Sequence, residues 1–163
     1  MTDLFVSWSD YHRTIERLAG RVYDADWHFQ HIVAIGRSGL HAGDLLSRLF
    51  RVPLSVLQAR SARAGDGEVA FSELAGLASP RGQRVLVVDD LIDTGETLAG
   101  AVRKLQPQCG ELRTAVLWVR QGAGFRPDYH VAEIAAGCRM HPPAEPYDLS
   151  NIEEVARRRR ADT

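Results

Sequence analysis

Residues 84–97 read Arg-Val-Leu-Val-Val-Asp-Asp-Leu-Ile-Asp-Thr-Gly-Glu-Thr, an apolar run that ends in two carboxylates and then breaks into a short polar turn. The uninterrupted aliphatic stretch 85–88 suits a strand buried on both faces of a parallel sheet, which puts Asp89 and Asp90 at its carboxyl end. From Thr97 onward, Leu98, Ala101, Val102 and Leu105 recur at helical spacing, so Asp93, Thr94, Gly95 and Glu96 occupy the turn into a helix N-terminus. The first N–H groups of a helix have no partners within it, and with the helix dipole they favour a phosphate. Gly95 allows the positive φ or close backbone approach such a loop needs. The hydroxyls of Thr94 and Thr97 supply further donors.

A second unit of the same kind lies upstream. The apolar stretch 31–35 leads into Gly36-Arg37-Ser38-Gly39 and then a helix carrying Leu40, Leu45, Leu46 and Leu49. Before it, Ser7 or Ser9 can cap a helix with Tyr11, Ile15, Leu18 and Val22 on one side. Residues 52–57, 113–119 and 129–135 read as further strands. The alternation of strands and helices predicts an α/β fold around a parallel sheet. Ligands of open α/β sheets sit at the carboxyl ends of the strands, so residues 36–39 and 89–97 are expected to face one crevice. There Arg37 offers a charged fork, Ser38 a hydroxyl, and Gly36 and Gly39 a close backbone. Residues 58–83 are long and polar, with one apolar patch at 71–77, and read as a functional or mobile loop.

Length and composition fit one domain spanning residues 1–163. A formal charge of −1 gives no global attraction to nucleic acid or anionic membrane, so a nucleic-acid partner is not expected. No apolar run approaches a membrane span, and the first residues, with Asp3 and Asp10, do not read as a secretory signal. A cytoplasmic protein is expected, with Cys109 and Cys138 as reduced thiols. Residues 151–163 read as a tail extending a short helix, and Arg157–Arg160 as a solvated charge run.

The stretch from Val88 to Thr97, Val-Asp-Asp-x-x-Asp-Thr-Gly-x-Thr, resembles the 5-phosphoribosyl-1-pyrophosphate site of type I phosphoribosyltransferases. Over most of its length the chain is similar to bacterial xanthine-guanine phosphoribosyltransferases and their purine salvage relatives. The resemblance adds an early Ser-Trp-Ser-Asp helix start, Ile-Val-Ala-Ile-Gly-Arg-Ser-Gly-Leu, and a closing Glu145-Pro146-Tyr147-Asp148. It implies the type I fold: a central parallel sheet flanked by helices, with a small C-terminal hood at about 136–150 that includes the N-terminal segment. It implies transfer of the 5-phosphoribosyl group to a 6-oxopurine (xanthine, guanine or hypoxanthine), giving a nucleoside monophosphate and pyrophosphate, with Mg²⁺ and a homodimer or homotetramer.

Roles follow from the same resemblance. Arg37, Ser38 and Gly39 hold the pyrophosphate in a loop that in the family often carries a cis peptide. Asp89 and Asp90 anchor the ribose hydroxyls and approach the metal. Thr94, Gly95, Glu96 and Thr97 belong to the phosphate loop, and Asp93 accepts a proton near purine N7. Two departures stand out. The relatives place a lysine on the strand after the central helix, whereas Lys104, the one lysine of this chain, lies in the helix; Arg120 takes the strand position and reads the purine 6-oxygen. The hood, Arg139 to Ala144, lacks the relatives' aromatic stacking residue, leaving Met140, His141, Pro142 and Pro143 to face the base. Arg60, Arg63 and Arg81 are alternatives for a further phosphate contact from the long loop. The altered hood keeps two other readings open: a donor-binding regulator without turnover, and an enzyme for another nitrogenous base.

Overall fold

The computed structural model describes residues 2–61, 69–76 and 79–161, which fall into two compact units. The larger unit is Thr14–Ala136 and the smaller joins Met1–Arg13 to Gly137–Thr163.

In chain order the elements are β1 (Thr2–Phe5), α1 (Trp8–Asp24), β2 (His31–Gly36), α2 (Gly39–Phe50), β3 (Leu54–Ser61), β4 (Val69–Phe71), β5 (Arg84–Ile92) and α3 (Glu96–Leu105). A 3-10 turn at Gln106–Gln108 leads to β6 (Glu111–Arg120), β7 (Tyr129–Ile134), β8 (Cys138–His141), α4 (Glu145–Leu149) and α5 (Ile152–Ala161). The larger unit is built on a six-stranded sheet of order β4-β3-β2-β5-β6-β7. Every pairing is parallel except that of β4 with β3.

The central strands are apolar because both faces are covered. Successive side chains alternate between faces, so Val33, Ile35, Leu57, Val85, Val87 and Val116 join one core with Leu98, Ala101 and Leu105 of α3. Helix α2 packs on β2 and β5, and Ile32, Ala34, Leu86 and Val88, on the alternate face, are also fully buried. Burying one such Val, Leu or Ile contributes roughly 1.5–3 kcal/mol, so the sheet is rigid where it carries the loops at its carboxyl ends. Helix α1 buries Tyr11, Ile15, Leu18 and Val22, as its spacing predicts. Ser7 is its cap: Ser7 Oγ accepts from the Asp10 N–H at 3.1 Å and donates to Asp10 Oδ2 at 2.6 Å. Ser9 instead accepts from Arg13.

Residues 58–83 are not wholly a loop. Strand β3 starts after Pro53 and runs to Ser61, beyond the expected end at 57, and β4 returns antiparallel to it with Ala59 opposite Phe71. Ala75 makes a further bridge to Val56. These backbone groups are satisfied by partners distant in sequence, which local composition does not reveal. Cys109 and Cys138 are both thiols, and no helix among the described residues is long and apolar enough to cross a membrane.

In the smaller unit β1 pairs parallel with β8, Thr2 opposite Cys138 and Phe5 opposite His141. His141 ties this unit together. Its Nδ1 lies 2.6 Å from Glu145 Oε2, its Nε2 lies 3.0 Å from Asp3 Oδ1, and its ring stacks on Phe5 at 4.4 Å. Arg139 also pairs with Glu145 at 3.4 Å. Hydrogen bonds to Asp3 and then Glu145 raise the His141 pKa above its ordinary value of 6.5, opposed by burial and by Arg139. A raised imidazole pKa stabilises fully below the unfolded value and loses that contribution as pH rises through the folded value. Protection of the Val6 N–H, which donates to the His141 carbonyl at 3.0 Å, is therefore expected to fall as pH rises above 6.5 and to lose this dependence in His141→Gln. Hydrogen-exchange protection factors against pH check it; the same dependence in both proteins would contradict it.

Candidate functional site

Two loops at the carboxyl ends of β2 and β5 meet in direct contact. The peptide between Gly36 and Arg37 is cis, as the resemblance implies for this loop. Gly39 opens α2 so close to β5 that a Cβ there would sit 2.6 Å from the Val88 carbonyl oxygen and 2.9 Å from Asp89 Cα. Only glycine fits that approach. The contact lets Ser38 Oγ donate to Asp89 Oδ1 at 2.8 Å, and the same oxygen accepts the Asp90 N–H at 2.9 Å.

Asp89 and Asp90 are 5% and 9% exposed, two adjacent carboxylates at the mouth of an apolar strand. Burial first, and the neighbouring Asp90 second, push the Asp89 pKa up to about 7, while Ser38 and the Asp90 N–H oppose the shift. Such a pair favours a cationic partner, which removes the cost of holding two like charges together. The donor set suits a hard cation. Mg²⁺ takes oxygen ligands, commonly one or two carboxylates completed by substrate phosphate and water. Among the described residues no group of three or more His, Cys, Asp or Glu is arranged to hold a metal by itself.

The loop expected to bind phosphate, residues 93–97, follows directly. Gly95 has φ +96°, a conformation a side chain rarely adopts, and Glu96 begins α3. A cavity of about 240 Å³ is lined by Gly36, Ser38, Asp89, Asp93, Thr94, Gly95 and Thr97, residues from both loops. Next to it a cavity of about 550 Å³ is bordered by Gly36, Arg37 and Arg60. Glu96 faces neither; with Thr94 and Gly95 it borders a third space of about 640 Å³ beside Phe71, Arg103 and Phe125.

The alternatives for an extra phosphate contact separate. Arg60 shares the cavity of Arg37. Arg81 lies before the amino end of β5, in a turn where Gly82 N–H bonds the Gln108 carbonyl at 2.8 Å. A nine-residue strand separates it from the loops, roughly 26 Å at about 3.3 Å per residue. Arg63 lies outside the described residues.

Arg120 ends β6, and its Nε donates to Asp93 Oδ1 in an ion pair. Its Nη1 also reaches the Ala135 carbonyl at 3.4 Å. The residue expected to read the base and the residue expected to take its proton thus stand side by side, a pairing that sequence spacing of 27 residues does not announce. Lys104 is on α3, 3.8 Å from Glu73. Of the hood residues, Met140 is buried and His141 is held by Asp3 and Glu145, while Pro143 lies in the turn between β8 and α4.

The chain is similar to several known proteins. The family model for the phosphoribosyl transferase domain matches residues 7–136. A hypoxanthine/guanine phosphoribosyltransferase of Methanocella arvoryzae is 32% identical over 111 residues, 63% of this chain and 58% of that protein. The first curated relatives are matched over 54 to 64% of their length. A xanthine-guanine phosphoribosyltransferase of Chromohalobacter salexigens is 30% identical, with 85% of this chain and 81% of that protein covered. The crystal structure of a purine phosphoribosyltransferase from Pyrococcus horikoshii superposes with a TM-score of 0.77 over 89% of this chain and 95% of that one, at 24% identity, and so shares its fold. The chain belongs to the phosphoribosyl transferase domain family.

Proposed function

We propose that the protein transfers the 5-phosphoribosyl group from phosphoribosyl pyrophosphate to a 6-oxopurine, releasing pyrophosphate and a nucleoside monophosphate. The observation that carries this reading is one cavity lined jointly by the loop at 36–39, the buried Asp89 and the phosphate loop. A donor with a phosphate at one end, a diol in the middle and a pyrophosphate at the other finds complementary groups in that order. The names of the relatives point to the same chemistry.

The 5-phosphate lies at the start of α3, where the first N–H groups have no partner within the helix and the Glu96 N–H is met only by the Thr94 hydroxyl at 3.4 Å, with the hydroxyls of Thr94 and Thr97 beside it. Asp89 and Asp90 accept hydrogen bonds from the ribose hydroxyls and stabilise the positive charge that builds on the ribose as the bond from C1 to the pyrophosphate oxygen breaks. Arg37, with Ser38 and the backbone at Gly39, holds the departing pyrophosphate, and Arg60 adds a second guanidinium on that side. Asp89 and Asp90 would hold Mg²⁺, which when bound neutralises pyrophosphate charge.

The acceptor end rests on the Asp93–Arg120 pair. A 6-oxopurine presents a carbonyl oxygen next to a ring nitrogen, matching a guanidinium donor beside a carboxylate acceptor. Arg120 donates to the oxygen, Asp93 takes the ring proton, and a new bond forms from a purine nitrogen to C1 of the ribose. An adenine places an amino group where Arg120 offers only donors, so it is refused. The active molecule is a homodimer or homotetramer working in the cytoplasm.

Two outcomes are expected. Pyrophosphate release with Mg²⁺ and phosphoribosyl pyrophosphate is fast with at least one of xanthine, guanine and hypoxanthine and slow with adenine and uracil; release with none of the five, or with adenine foremost, overturns the reading. Asp93→Asn lowers kcat about 10²- to 10⁴-fold, the usual contribution of a positioned acid or base, with donor affinity little changed. Equal losses in kcat and in donor affinity, separated by kinetics and titration calorimetry, would remove Asp93 from the proton step.

A further inference from the structure

Three consecutive residues of the phosphate loop are each held by one residue of the stretch that begins with the last residue of β6 and runs on past it. Asp93 pairs with Arg120. The Thr94 carbonyl accepts the Gly124 N–H at 2.8 Å. Gly95 lies against Phe125, so closely that a Cβ on the glycine would be 2.6 Å from Phe125 Cβ and 2.8 Å from its backbone nitrogen. The segment is itself fixed. Gln121 N–H bonds the Ile134 carbonyl at the end of β7 at 2.8 Å, and Ala123 N–H bonds the Arg120 carbonyl at 3.1 Å. Ala123 and Phe125 pack on the core cluster that contains Leu98 and Val119.

The loop needs such support. Gly95 holds a positive φ with no side chain of its own to lock it, and glycine carries the largest conformational entropy to lose. Thr94 and Gly95 also border the open space of about 640 Å³, so close-packed protein does not surround the loop on every side; Gly124 and Phe125 line the same space.

We propose that the turn 120–125 is a brace that holds the phosphate loop in its binding geometry, with Phe125 as the positioning residue. This inference rests on the donor reading above. Preorganisation lowers the entropy lost when the donor is bound. Phe125 acts on affinity through Gly95 and does not itself take part in the reaction. The brace also runs from the residue expected to read the base to the loop expected to hold the phosphate, so both ends of the crevice share one support.

The test compares the wild-type chain with Phe125→Ala and with Phe125→Leu, the latter retaining an apolar side chain if the alanine variant fails to fold. Hydrogen exchange of residues 94–97 is measured without donor, and the Kd of phosphoribosyl pyrophosphate with Mg²⁺ is measured by titration calorimetry. Phe125→Ala is expected to speed exchange in the loop and to raise the donor Kd about tenfold, equivalent to about 1.4 kcal/mol, with kcat at saturating donor within about twofold by the same conversion. Phe125→Leu is expected to recover most of the affinity. A lower Tm with unchanged loop exchange and unchanged Kd would show a purely structural phenylalanine and overturn the brace. Wild-type protein that binds no donor would sink the donor reading instead, and loop exchange, measured without donor, would still decide the brace.

Discussion

Two carboxylates buried side by side at the end of an apolar strand set the terms for the rest of this molecule. Asp89 and Asp90 sit where β5 leaves the sheet core, after four residues with no exposed surface. Holding both charges there is costly, and burial together with Asp90 moves Asp89 up to about pH 7. The neighbouring groups offset that cost. Ser38 and the Asp90 N–H donate to one Asp89 oxygen, and the glycine at 39 lets the first loop approach the strand closely enough for Ser38 to reach. In the proposed reading, a ligand rich in hydroxyls and accompanied by a cation completes the arrangement. The sheet is therefore less a container for the site than the source of its electrostatics.

Much of this architecture is legible in sequence because it is local. Strand, turn and helix around residues 84–105 follow from one apolar run and one helical period, and the loop at 36–39 repeats the design. The cap of α1 required structure to choose Ser7 over Ser9, since both precede the same apolar face. Contacts between distant segments were hidden. Strand β4 and the extension of β3 exist because each satisfies the other's backbone, and nothing in the polar composition of 58–83 marks that pairing. The Gly-Ala-Gly-Phe stretch after Arg120 reads as an ordinary connection, yet in space it lies against Gly95. Arg60 and Arg81 are indistinguishable as surface arginines; only strand direction puts one beside Arg37 and the other at the opposite end of β5.

Arginine dominates the basic chemistry of the chain, with one lysine in the whole sequence, and this matters most at Arg120. A guanidinium offers several donors in a fixed plane, so Arg120 bonds Asp93 through Nε while Nη1 reaches the Ala135 carbonyl. An ammonium is a compact point charge without that planar fork. Arg120 therefore places a cation at the strand end together with a planar support that ties β6 to the loop at 93–97. His141, with Asp3 and Glu145, gives the smaller unit its own charge-assisted tie.

The most direct test of the buried carboxylate pair as a donor site is titration calorimetry of phosphoribosyl pyrophosphate with Mg²⁺ into the wild-type chain and into Asp89→Asn. Saturable binding of one donor per chain, lost or strongly weakened in Asp89→Asn while the variant keeps its fold by circular dichroism, is the expected result. Equal binding by both proteins would contradict it, because the donor would then be held without the carboxylates around which the loops are arranged.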